Sequence, residues 1–234
     1  MNIKSESNFW NQKIVYNITR FTTTDYAGHL SCIIWFIGCN FRCLYCYNDN
    51  IVYTKRGKYD FKEVLEFLKS RIGLLDSVVL SGGEATIYNL IPICKEIKKL
   101  GFKIKLDTNG SNFKQIKELV ELKLIDYMAI DFKSPKDKFK DLVNACVYDT
   151  IIKTIQHLIK IDFDFELRTT VNTKLIDEND INCIIHTLVS LGYKNTYYLQ
   201  NFLETPSNIG DISKGQDFNK ELIDSKNLII QYRN

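Results

Sequence analysis

Gly38-Cys39-Asn40-Phe41-Arg42-Cys43-Leu44-Tyr45-Cys46 sets three thiols within eight residues, directly behind the apolar run Leu30 to Ile37. A short aliphatic run bounded by a glycine turn predicts a buried strand, and the cysteine-bearing residues after it predict a loop. Working outward, the same order recurs down the chain. Strands are expected at Leu30 to Ile37, Ser77 to Leu80, Phe102 to Leu106, Tyr127 to Asp131, Phe165 to Thr170 and Thr196 to Gln200. Between them lie segments of helical period: Val64, Leu65, Leu68 and Ile72 share one face, as do Phe113, Ile116, Leu119 and Val120, and Leu90, Cys94 and Ile97. Six such units predict an α/β fold with parallel strands, an open partial (β/α)6 barrel with short N-terminal and C-terminal extensions. One domain spans 1–234, its core about 30–204, with 205–234 a tail packing back on the edge through Leu228-Ile229-Ile230. A further short strand is expected at Lys13 to Ile18, ahead of a loop holding Asp25-Tyr26-Ala27-Gly28.

Ligands gather at the carboxyl ends of parallel strands, where the following loops converge. Each of the six ends here is polar or metal-binding: the cysteine loop, Ser81-Gly82-Gly83-Glu84, Asp107-Thr108-Asn109-Gly110, Asp131-Phe132-Lys133, Arg168-Thr169-Thr170 and Gln200-Asn201. Their common position argues for a site where each alone would pass as a solvated loop.

Composition narrows the classes. With 45% hydrophobic and 25% charged residues and only 11 Gly and 3 Pro, the chain is that of a globular protein. Its net charge of +3 is too small and dispersed to favour a nucleic-acid partner. Neither a secretory leader nor a run of ~18 apolar residues is visible, so a cytoplasmic protein without a membrane partner is expected. Seven cysteines are an odd number for a disulfide framework. Cys32, Cys94, Cys146 and Cys183 sit in apolar surroundings and read as buried small hydrophobes.

The remaining three have the spacing Cys39-x3-Cys43-x2-Cys46 with no fourth ligand nearby. Structural zinc takes four ligands, usually as two pairs, and ferredoxin-type carriers use a fourth cysteine. A four-iron four-sulfur cluster tolerates three protein ligands and leaves one iron open. An open iron suits the amino and carboxylate groups of a methionine, which would bring the sulfonium of S-adenosylmethionine beside the cluster. Reductive cleavage there gives methionine and a 5′-deoxyadenosyl radical, which the protein must keep from solvent.

With an aromatic, Tyr45, just before the last cysteine and Ser81-Gly82-Gly83-Glu84 at the second strand, the chain resembles the radical S-adenosylmethionine superfamily. Over nearly its whole length it resembles the activating enzymes of anaerobic ribonucleoside-triphosphate reductase. The matching stretches are Asp25-Tyr26-x-Gly28, Gly38 to Cys43, Lys105 to Gly110, Arg168 to Val171 and Tyr197 to Gln200. Ala85, Tyr47 and Ala27 depart from residues common in the family, and none is a cluster ligand.

The resemblance implies one [4Fe-4S] cluster on Cys39, Cys43 and Cys46, with the backbone around Gly82 and Gly83 receiving the amino group of S-adenosylmethionine. Catalysis then needs no residue beyond the cluster and cofactor. Ser81 shares the second strand end. Tyr45 would lie against the adenine. Asp107, Asn109, Asp131 and Lys133 read two ways, as contacts to ribose hydroxyls, the ligand ammonium or a small cation, or as an ion-pair network. Arg168 and Thr170 would suit the methionine carboxylate, a guanidinium binding carboxylate in a fork, with a packed strand-end arginine the alternative. Glu84 reads as a cofactor-site residue or as a helix-start acid.

The implied function is hydrogen abstraction from a glycine of a partner, a class III ribonucleotide reductase, leaving a glycyl radical there. A one-electron reductant such as flavodoxin or ferredoxin would feed the cluster. Two alternatives stay open: the same cofactor chemistry on a small molecule such as a purine-like heterocycle, or on a peptide, and a non-catalytic iron-sulfur carrier or sensor.

Overall fold

The computed structural model describes residues 10–233. Strands and helices alternate: β1 (Val15–Thr22), β2 (Ser31–Phe36), α1 (Asp49–Tyr53), α2 (Phe61–Lys69), β3 (Ser77–Gly82), α3 (Leu90–Lys99), β4 (Lys103–Thr108), α4 (Phe113–Glu121), β5 (Tyr127–Asp131), α5 (Lys136–Val143), α6 (Tyr148–Lys160), β6 (Phe165–Val171), α7 (Glu178–Ser190), β7 (Tyr197–Asn201) and β8 (Ile230–Arg233). The strands keep chain order in one sheet with β1 and β8 as its edges. β1 runs antiparallel to β2, whereas β2–β3, β3–β4, β6–β7 and β7–β8 are parallel. The expected strands are thus β2 to β7, the open (β/α)6 arrangement. β8, added beyond them, is the tail's return to the edge.

The described chain falls into two compact units. One comprises the chain up to Cys39 with Asn50–Thr108 and Lys114–Met128; the other comprises Asn40–Asp49, Asn109–Phe113 and the chain from Ala129 onward.

In the first unit, β2 and β3 are buried almost throughout, as strands covered on both faces must be. The two helices that cover them start on side-chain caps. Asp60 accepts from the Lys62 and Glu63 amides while Glu63 reaches back to the Asp60 amide, opening α2 with a reciprocal cap; Asn89 caps α3. Val64 and Leu68 of α2, and Leu90, Cys94 and Ile97 of α3, bury the faces their spacing predicts. Ile72 departs from that pattern: α2 ends at Lys69, and Ile72 stands exposed in the turn after it.

In the second unit, α5 and α6 pack an aromatic set, Phe132, Phe139 and Tyr148, beneath Phe41 of the cysteine loop, whose ring meets Phe139 edge-on with centroids 5.9 Å apart. α7 opens on an Asp177–Asp180 reciprocal cap. Cys32 and Cys94 are buried, and burial pushes both thiols up to about 12. Cys146 and Cys183 are exposed, against the sequence expectation. Cys183 falls on the outer face of α7, opposite Ile181, Ile184, Ile185 and Leu188, and Cys146 lies in the turn between α5 and α6.

Candidate active site

In the first unit, the ends of β2 and β3 press together, and glycine makes this possible. Gly82 adopts a φ of +124°, and a Cβ there would lie 2.3 Å from the Phe36 carbonyl oxygen. A Cβ on Gly83 would lie 1.9 Å from the Gly38 oxygen. The amides use the contact: Gly83 N–H donates to Phe36 (3.0 Å) and Glu84 N–H to Gly38 (2.9 Å). Ser81-Gly82-Gly83-Glu84 is therefore stitched to the backbone that delivers half-buried Cys39. Glu84 is almost fully buried and accepts from the Thr86 amide (3.1 Å), the Thr86 hydroxyl (2.6 Å) and the Thr108 hydroxyl (2.7 Å). It caps the short 3-10 turn Ala85–Ile87, the helix-start role among its two readings.

At the end of β4, the Asp107 carboxylate accepts from Ser81 Oγ (3.3 Å) and lies 3.3 Å from Lys105 Nζ. Lys105, buried, also donates to the Asp25 carbonyl and sits 5.9 Å from the Tyr127 ring centre. The Tyr26 ring stacks on His29 (4.2 Å) and Tyr127 (5.5 Å). The Asp25-Tyr26 loop is thus moored to the strand pair that presents Asp107.

In the second unit, the cysteine loop is held by its backbone. The Arg42 and Leu44 amides donate to the Val143 (2.9 Å) and Leu142 (3.0 Å) carbonyls at the end of α5, groups that a helix terminus leaves without partners of its own. The Cys46 amide donates to Cys43 (3.0 Å). Asn109, buried, ties residues 109–111 to the loop by donating to Asn40 Oδ1 (2.9 Å) and accepting from the Ser111 amide (3.0 Å).

Around this loop lies a charged set. Asp131 accepts from Arg168 Nε (2.8 Å) and pairs with Lys133 Nζ (3.1 Å). Burial alone would raise the Asp131 pKa, but the two cations outweigh it and bring it down to about 2. Burial opposes the charge on Lys133, and facing Asp131 raises its pKa above the ordinary lysine value. Lys133 Nζ lies 5.7 Å from the Tyr45 ring centre. Tyr45 is buried, its hydroxyl has no hydrogen-bond partner among the described residues, and burial pushes its pKa up. Burial pushes Cys43 up to about 11, Lys133 pulling the other way, and raises Cys46 too. Thr170 is half-buried on the face of β6 shared with Arg168. Thr169 points the opposite way, donating to the Phe132 carbonyl and accepting from the Tyr197 hydroxyl (2.6 Å).

Two contacts were not assigned from the sequence, the Lys105–Asp107 pair and the Arg233–Glu166 pair. Lys105 was legible in outline, because Lys105 and Asp107 stand two apart on one strand and so share a face. The fork of Arg233 onto buried Glu166 (2.9 and 3.1 Å) was not, its partners lying far apart in the chain.

Residues 33–188 match the family described as the radical SAM superfamily. The chain belongs to the radical S-adenosylmethionine superfamily. Membership implies a four-iron four-sulfur cluster and S-adenosylmethionine as cofactors. This radical S-adenosylmethionine chain is 34% identical over 199 residues, 81% of itself and 80% of the relative, to a Methanocaldococcus jannaschii protein provisionally named a glycyl-radical enzyme activating enzyme. It is 26% identical to the pyruvate formate-lyase-activating enzyme of Streptococcus mutans, over 71% of the chain and 68% of that enzyme. Among solved structures, it resembles SuiB of Streptococcus suis bound to S-adenosylmethionine, with a TM-score of 0.66 and 13% identity, a likeness of fold. The match covers 85% of this chain and 48% of SuiB, so the chain spans about half that protein's length. No helix among the described residues is long and apolar enough to cross a membrane.

Proposed function

We propose that this chain is a glycyl-radical activating enzyme whose partner is a class III ribonucleotide reductase. The reading is carried by the relative from M. jannaschii, whose name is that of such an activase and which is matched over four fifths of both chains. The finer choice of partner rests on the motifs around Asp25, Cys39, Asp107, Arg168 and Gln200.

The residues present fit the cofactors. Cys39, Cys43 and Cys46 supply three thiolates from one loop, one for each of three irons. The Tyr45 hydroxyl, buried and without a hydrogen-bond partner among the described residues, is a polar group that a ligand could satisfy. When bound, the cluster supplies the electron that splits S-adenosylmethionine into methionine and a 5′-deoxyadenosyl radical.

The chain's own residues bind and orient. Gly82 and Gly83 let the β3 end pack against the Phe36 and Gly38 backbone, and the backbone around them is assigned to receive the ligand ammonium. Arg168 and Lys133, already charged and fixed by Asp131, present cations suited to a carboxylate. Asp107, Asn109, Ser81 and Thr170 add polar groups for the ribose and amino acid moieties, Tyr45 an aromatic face for the adenine, and Glu84 fixes the turn after Gly83. A flavodoxin or ferredoxin is the expected electron donor, in an anaerobic cytoplasm.

Product analysis tests this. Anaerobically reconstituted, reduced protein with S-adenosylmethionine and an anaerobic reductase should release methionine and 5′-deoxyadenosine. Release of S-adenosylhomocysteine would overturn the mechanism, and rapid turnover on a purine or peptide with no reductase present would overturn the choice of substrate.

A further inference from the structure

The segment after β7 looks like an irregular tail, yet it is built onto the cysteine loop. The Gly210 amide donates to the Leu44 carbonyl (2.7 Å) and the Ile209 amide to the Cys46 carbonyl (3.0 Å). Leu44 is thereby held on both sides, its amide by α5 and its carbonyl by the tail. Residues 42–46 lie between a helix terminus and the tail as a strand lies between two neighbours.

Three features show that this seat is specific. A Cβ on Gly210 would stand 2.9 Å from both Leu44 Cβ and its carbonyl oxygen, so glycine permits the approach. Asn208 locks the turn that offers the two amides: its Nδ2 donates to the Ile212 carbonyl (2.8 Å) and its Oδ1 accepts from the Ile212 amide (2.7 Å). The far end is anchored at the end of β6, where buried Asn172 donates to Ser213 (3.1 Å) and Thr173 to Gln216 (2.8 Å). β6 is the strand that carries Arg168 and Thr170.

The geometry points to residues 205–216 as a positioning strap that fixes the backbone of Leu44 to Cys46, with Asn208 and Gly210 as its positioning residues. The strap binds the loop to the end of β6, so the thiols of Cys43 and Cys46 keep a set relation to the strand end that carries Arg168. The inference deepens the proposed function, since it takes that loop to be the one that holds the cluster.

Hydrogen exchange measured by mass spectrometry on the full chain tests it, first in cluster-free protein under reductant and then after reconstitution. In Gly210→Val and Asn208→Ala, exchange of peptides spanning 40–49 should quicken by about tenfold, the scale set by losing a pair of backbone hydrogen bonds, while β3 and β4 stay protected. Asp217→Ala, on an exposed side chain of the same tail, should change nothing. In reconstituted protein the two strap variants should lose iron to a chelator about tenfold faster than wild type at equal initial iron content. Faster exchange confined to 205–212, with 40–49 as in wild type, would show that the tail merely rests on the loop and would overturn the inference. Should Gly210→Val expose β3 and β4 as well, Asn208→Ala, which adds no atoms, decides. A wild-type protein that binds no cluster would defeat the proposed function but leave the cluster-free exchange result standing.

Discussion

Replacing Asp131 by Asn removes the anion that Arg168 and Lys133 share. The carboxyl is brought from 3.8 to about 2 in the folded chain, because Arg168 at 2.8 Å and Lys133 at 3.1 Å outweigh the opposing effect of burial. That drop is worth on the order of 2 kcal/mol of folding stability. The folded value lies below the unfolded one, so the contribution is complete above the unfolded pKa near 3.8 and is lost as pH falls through about 2. At pH 7, Asp131→Asn should therefore lose on the order of 2 kcal/mol, and more if the Arg168 and Lys133 cations repel. By about pH 3 the gap to wild type should have narrowed by roughly 1 kcal/mol, as the wild-type carboxylate begins to be protonated only in the unfolded chain. Urea denaturation of cluster-free protein, monitored by the fluorescence of Trp10 and Trp35 from pH 7 downward, reads this directly. A gap that is absent at pH 7, or that stays constant down to pH 3, would refute the reasoning.

Changing Cys39, Cys43 or Cys46 to Ala should each abolish iron binding on anaerobic reconstitution, whereas Ala at Cys32, Cys94, Cys146 or Cys183 should leave iron content unchanged; an intact cluster without Cys43 would contradict the ligand set. Tyr45→Phe deletes a buried hydroxyl that has no hydrogen-bond partner among the described residues and should stabilise cluster-free protein by ~1 kcal/mol in a urea melt, a loss of similar size being the contrary result. Gly83→Ala forces a methyl to within 1.9 Å of the Gly38 oxygen and should lower the urea midpoint by an amount worth ~2 kcal/mol or more, since backbone must move. An unchanged midpoint would mean that the β2 and β3 ends are not in contact.

β2, β3 and β5 were legible because each is a compact apolar run buried over most of its length, as a strand covered on both faces must be. β3 and β4 run two residues farther than expected, to Gly82 and Thr108, because the strand ends carry polar residues that hydrophobic pattern alone treats as loop. The cysteine loop and the glycine pair were legible from residue type and spacing. The partners that fix them were not: Glu84 reaches Thr108, Lys105 reaches the Asp25 carbonyl, and Gly210 reaches Leu44 across 24, 80 and 166 positions. Such contacts obey no local period. Leu228-Ile229-Ile230 hinted at a return to the sheet edge, yet β8 takes only Ile230 from that run and continues through Gln231, Tyr232 and Arg233. Exposed Cys183 shows the limit of composition, since its neighbours Ile181, Ile184 and Ile185 set the buried face and leave it outside.

The most direct measurement is an electron-spin resonance experiment. Reduced, cluster-loaded protein, S-adenosylmethionine and an anaerobic ribonucleotide reductase are mixed without oxygen, frozen and probed for a glycyl radical. A backbone glycine suits the role because its loop bends freely enough to present the α-hydrogen to the deoxyadenosyl carbon. A glycyl signal on the reductase, one 5′-deoxyadenosine per radical, and loss of the signal when the acceptor glycine is changed to alanine are the expected results. Cleavage of S-adenosylmethionine at the same rate with and without the reductase, and no glycyl signal, would contradict it.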